Sequence, residues 1–149
     1  MLSSKKVMNA ITDHANGFNC AQAVLMQFAK DLGLSRIAAS KIASCFGGGM
    51  RMGRTCGALT GALMVLGLGF GFSEADQLSK QKIEERTEEF TANFKIFNGS
   101  TECKDIIGMD VSKPKAREKA IRKGLFEKKC PLCIASSILL LEKYLESKG

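Results

Sequence analysis

The chain of 149 residues contains no tryptophan, one histidine, one tyrosine and two prolines. A single histidine excludes a multi-histidine metal site built from this chain alone, and His14, near the end of an expected helix, is given no role. Few runs combine β-branched residues with period-two alternation, so strands have little to start from. The first residues lack the continuous apolar core and small-residue cleavage site of a secretory leader; export is not expected and a cytoplasmic location is. A nucleotide-binding signature is missing too. Gly47-Gly48-Gly49 is followed by no Gly-Lys-Ser/Thr and preceded by no strand.

What is present points to helices. With 45% hydrophobic and 25% charged residues the composition is that of one globular domain spanning 1–149. Alanine, leucine, lysine, glutamate and methionine dominate the long stretches. The expected fold is all-α: a single-domain helical bundle of about six to seven helices around a glycine-rich apolar central helix. The net charge of +7 is concentrated in a basic block over 111–129, where Lys113, Lys115, Arg117, Lys119, Arg122, Lys123, Lys128 and Lys129 face only Glu118 and Glu127. Nucleic-acid binding needs aromatics interleaved for stacking, and only Phe126 is available, so a solvated helical face is expected instead.

Capping residues divide the chain. Ser3 or Ser4 starts a first helix, Asn19 a second and Ser35 a third, the last with Ile37, Ala38 and Ile42 turned inward. Residues 55–73 carry no charge, and about 19 residues is just enough to span a bilayer. Gly67, Gly69 and Gly71 interrupt that run, no aromatic belt flanks it, and the Gly57/Gly61 pair suits close packing, so a buried helix is expected rather than a membrane span. Residues 73–76 open a long amphipathic helix whose Ile83, Phe90, Phe94 and Phe97 belong to the core or to a homodimer interface. Pro114 starts the basic helix, and Cys130-Pro131 is read as the opening of the last.

Six cysteines in a reducing compartment point to metal ligands or redox thiols rather than structural disulfides. Cys20, Cys56, Cys103 and Cys130 each fall in an expected first helical turn, where unpaired N–H groups favour thiolate over thiol. Arg51 and Arg54 before Cys56, and Lys128 and Lys129 beside Cys130, push the same way. Cys45, at an expected helix C-terminus, is read as packing. Cys133 is left open, because Cys130-Pro-Leu-Cys133 is a C-x-x-C whose sulfurs could pair or share a metal. Gly47, Gly48, Gly49 and Gly57 are expected to let main chain lie close to a cofactor.

These motifs carry a family resemblance. Phe18-Asn-Cys20-Ala-Gln-Ala-Val, Gly47-Gly-Gly-Met-Arg, Thr55-Cys56-Gly-Ala-Leu-Thr-Gly61, Cys103 after Phe97-Asn-Gly-Ser100, and Cys130 together resemble the redox-active proteins named for a C_GCAxxG_C_C cysteine pattern. The resemblance implies an α-helical domain, four characteristic cysteines and a redox role. Some cytochrome-like relatives attach haem through C-x-x-C-H, but Ile134 follows Cys133 here, so covalent haem is not expected. Two uses of the cysteines stay open, as ligands of an iron–sulfur cluster, zinc or another thiophilic metal, or as exchanging disulfides. The chain is then an oxidoreductase or electron carrier whose donor or acceptor is a partner protein or a small molecule. The alternative class is a metal-binding or sensing module whose basic helix contacts a partner.

Overall fold

The computed structural model describes residues 4–147, so Ser3 lies outside the described residues. The all-α expectation holds, with eight α-helices among the described residues: α1 (Lys5–Ala15), α2 (Cys20–Phe28), α3 (Arg36–Ile42), α4 (Gly57–Phe70), α5 (Gln77–Asn98), α6 (Cys103–Ile107), α7 (Pro114–Arg122) and α8 (Leu125–Glu146). The five-residue α6 takes the number above six or seven. Side-chain caps set several boundaries: the Ser4 hydroxyl accepts from the Val7 N–H at 3.0 Å, and Asn19 and Gln22 form a reciprocal capping box at the head of α2. No helix among the described residues is long and apolar enough to cross a membrane.

α4 is the buried central helix, and its closest neighbour is α2. A Cβ built on Gly61 would lie 2.6 Å from the Ala21 carbonyl oxygen, and one on Gly57 would lie 2.9 Å from the Ala21 nitrogen. Backbone therefore meets backbone where the sequence has glycine. On its other side α4 accepts a buried hydrogen bond through the Ala58 carbonyl from the Ser137 hydroxyl of α8, at 2.9 Å. Phe90 and Phe94 of α5 enter the core and Ile83 is half-buried, whereas Phe97 is exposed.

The α3 expectation needs correction. Ile37 and Ile42 are 70% and 62% exposed, Ala38 is half-buried, and Ala39 and Ala43 are buried in their place. The cause is polar: Asn19 Nδ2 donates to the carbonyls of Ala43 and Ser44, and Gln22 Nε2 to that of Ser40. This network holds α3 so close to α2 that alanine occupies the inner face. The start of α8 also differs. Gly124, with φ 65°, lies between α7 and α8, and α8 begins at Leu125, so Cys130 and Pro131 lie inside it. Leu125 and Phe126 pack on a small apolar cluster, which offsets the backbone hydrogen bond that Pro131 removes.

That cluster is separate from the main core. It consists of Cys103, Ile107, Val111, Ala120 and Cys130, while the main core runs through α1, α2, α4, α5 and the rest of α8. Cys20 packs against both.

Candidate functional site

A cavity of about 430 Å³ opens where the two clusters meet. Its wall includes Cys20, Cys56, Cys103 and Cys130, which the sequence singles out, and also Cys133, Cys45 and His14. Cys20 is the first residue of α2, Cys56 immediately precedes α4, and Cys103 is the first residue of α6. Cys130 departs from the helix-start expectation, standing in the second turn of α8 for the reason given above.

Backbone pairing brings two of these segments together. Thr55 and Glu102 form an isolated antiparallel bridge. The Cys56 N–H donates to the Thr101 carbonyl at 2.7 Å, and the Cys103 N–H to the Arg54 carbonyl at 2.6 Å. Arg54 spans the same seam with an ion pair to Glu102 at 3.3 Å. The heads of α4 and α6 are thus laced side by side although 47 residues separate their cysteines.

The sulfurs influence one another's ionisation in two pairs. In the first, the Cys20 thiol donates to Cys130; this raises the Cys20 pKa well above the ordinary thiol range, with burial adding to the rise, and helps lower that of Cys130 to about 6. His14 lowers Cys130 further by hydrogen bond and charge, while burial and Glu127 oppose the shift. In the second pair the Cys133 thiol donates to Cys56, which pushes Cys133 up and Cys56 down. The N–H groups of Ala58 and Leu59 at the start of α4 also lower Cys56, as the helix-start argument requires. Cys103 has no such donor: burial pushes it up to about 12, and negative charge on Cys56 and Cys130 adds to the rise.

Lys128 and Lys129 are exposed and do not line the cavity. The side chain that favours the Cys130 thiolate is instead that of His14, to which the helix-start argument gives no role. The link between α1 and α2 is short enough that His14 near the end of one and Cys20 at the head of the other must face each other across the turn. Cys45 corrects the packing expectation, being exposed in the cavity wall. Gly47, Gly48 and Gly57 line the cavity, whereas Gly49 is buried behind it, where a Cβ would meet the Arg54 backbone. Gly48, Gly49, Met50 and Arg51 are consecutive left-handed residues with φ of 61–62°.

His14, Cys20 and Cys130 offer donor atoms that all lie within 4.8 Å of one another, and such a set can hold a metal ion. Two thiolate sulfurs and an imidazole suit a thiophilic ion. No curated protein and no solved structure matches the chain. The family model described as "Putative redox-active protein (C_GCAxxG_C_C)" matches residues 18–144, a span that contains all six cysteines and leaves out His14. With that match over most of its length, and cysteines from four helices gathered on one cavity, the chain belongs to the C_GCAxxG_C_C redox-active family.

Proposed function

We propose that the chain is an electron-carrying dithiol protein in which Cys20 and Cys130 form and break a disulfide. Cys56 and Cys133 are a second exchanging pair beside them, and Cys103 is a further thiol within reach of both. The observation that supports this best is the gathering of the cysteines on one cavity wall, with the Cys20 and Cys130 sulfurs within 4.8 Å of each other. In each pair one sulfur accepts a hydrogen bond as the attacking thiolate, and its neighbour donates it as the thiol that resolves. The reading assigns the chain to a compartment where thiols are kept reduced, such as the cytoplasm. Mild oxidation followed by alkylation and peptide mass mapping tests it. A Cys20–Cys130 linked peptide that disappears in Cys20→Ser and Cys130→Ser is expected; six thiols that all stay alkylatable after oxidation would sink the reading.

A second reading rests on the mutual proximity of His14, Cys20 and Cys130. In it these three hold zinc or another thiophilic ion, or Cys20, Cys56, Cys103 and Cys130, with Cys133 in reserve, hold an iron–sulfur cluster. Gly47, Gly48 and Gly57 would then let main chain lie against the bound group. Such a cluster supplies one-electron transfer, and zinc holds thiolates at neutral pH. Anaerobic purification followed by iron, sulfide and zinc analysis separates the readings. Stoichiometric metal favours the second; metal-free protein with titratable thiols favours the first.

A further inference from the structure

Apart from its sulfurs, the cavity wall carries two arginines that the fold leaves without an acid. Arg51 and Arg117 line the cysteine cavity and also an adjoining groove of about 230 Å³, so both residues stand where the two spaces meet. The ion pairs among the described residues are Lys6–Asp31, Arg36–Asp13 and Arg54–Glu102, and neither Arg51 nor Arg117 has a side-chain partner. Arg54, three residues along the same loop, shows what a structurally employed arginine looks like here. Arg117 is half-buried, and holding a guanidinium partly out of water with no counter-charge is unfavourable. Arg51 is exposed on a backbone with φ 61°, a conformation that disfavours any side chain by about 1–2 kcal/mol.

The surrounding field has the same sign. α7 adds Lys115, Lys119 and Arg122 to Arg117, against Glu118 in the groove and Glu127, the one acid in the cavity wall. Cys56, Cys103, Cys130 and Cys133 are all buried below the opening, so a disulfide on the surface of a folded protein does not reach them. A cavity of about 430 Å³ has room for a small molecule.

We propose that the disulfide exchanged at Cys20–Cys130 is a small molecule bearing an anionic group, such as a carboxylate, close to its sulfur atoms, and that Arg51 and Arg117 hold that group. Paired guanidinium forks suit such anions better than ammonium groups do. The inference rests on the dithiol reading above. The Cys130 thiolate attacks one sulfur of R–S–S–R, the S–S bond breaks, and one RS⁻ leaves. The Cys20 sulfur then attacks Cys130 in the mixed disulfide, the second RS⁻ departs, and the proton lost from Cys20 passes to it. The protein pair gives up two electrons and forms one disulfide, while the small disulfide gains two electrons and becomes one thiolate and one thiol.

Stopped-flow mixing of the fully reduced chain with three probes tests this: a bis(carboxynitrophenyl) disulfide, a neutral dipyridyl disulfide and the dication cystamine. In the double variant Arg51→Gln/Arg117→Gln the ratio of anionic to neutral rates should fall roughly tenfold relative to wild type, the scale of two partly exposed charge pairs. Added salt should lower the wild-type ratio in the same direction, a readout that needs no variant, and Arg117→Gln alone should give a smaller fall. An unchanged ratio in both the variants and the salt series overturns the anion site while leaving the dithiol reading intact. A polyacidic peptide disulfide reacting faster than the small dianion overturns it as well, by moving recognition outside the cavity. Failure of all the probes to oxidise Cys20–Cys130 overturns the dithiol reading and this inference together.

Discussion

The molecule's two apolar regions are built on different terms. The main core is large and tightly closed: Leu25, Leu59, Leu66, Phe90, Phe94, Ile134, Ile138 and Leu141 are almost completely enclosed, and glycine lets α2 and α4 pack backbone to backbone. The smaller cluster holds five buried residues, two of them cysteines, and is covered by α6, α7 and the first turns of α8. Sulfur there does part of the work that leucine does in the core. The contrast teaches why the cavity lies at the seam: the large core fixes Cys20, Cys56 and Cys133, while Cys103 and Cys130 belong to a layer with little apolar surface to spare. That layer is where opening should cost least.

Substitutions can break this contrast or sharpen it. The largest effect is expected in the main core, where Phe94→Ala should cost about 4 kcal/mol and Gly61→Ala about 3 kcal/mol, because the added methyl meets the Ala21 carbonyl; urea unfolding measures both. Ile107→Ala in the small cluster should cost about 2 kcal/mol and appear first as faster amide exchange in α6 and α7, with α2 and α4 still protected. Equal exchange in all four helices would erase the distinction between the regions.

The titrations probe the seam itself. Alkylation of Cys130 should rise through a midpoint near pH 6, and His14→Gln should move that midpoint upward, since His14 favours the thiolate. Cys103, raised to about 12, should have the opposite consequence for stability. The unfolded chain ionises this thiol near its ordinary value of about 8.5 while the folded chain keeps it protonated, so stability falls as pH climbs from there toward 12. Cys103→Ala should remove that share of the fall, read from urea midpoints across the alkaline range. The smallest effect concerns the left-handed turn: Met50→Gly should raise stability by about 1 kcal/mol or less, as the unfavourable backbone at φ 61° becomes an unstrained one.

Much of this was legible along the chain, because its signals are local. Ser4, Asn19 and Ser35 cap the helices they were expected to cap, and Gly57 and Gly61 mark the close approach of α4. The four chosen cysteines all line one cavity, and three of them sit at helix heads as the local signals imply. What escaped was tertiary or ambiguous. Cys130-Pro131 looks like a helix start by local chemistry, since proline favours that position, yet Gly124 had already opened the helix two turns earlier. His14 meets Cys130 only because α1 packs on α8, which no spacing in the sequence encodes. Ile37 and Ile42 obey helical periodicity, but a polar network turned the alanine face inward.

The splice of α2 onto α4 at Ala21, Gly57 and Gly61 has a mechanical consequence. Cys20 and Cys56 head two helices that touch main chain to main chain, so neither can advance without driving backbone into backbone. A disulfide draws its sulfurs to about 2.05 Å, well inside nonbonded contact. In the dithiol reading proposed above, that shortening would fall on the opposite wall, on a helix already missing one rung at Pro131. The α2–α4 side then acts as the anvil and α8 as the yielding arm. Because α7 joins α8 through Lys123 and Gly124 alone, any shift of α8 on formation of the proposed disulfide would be handed directly to the protein's most basic helix.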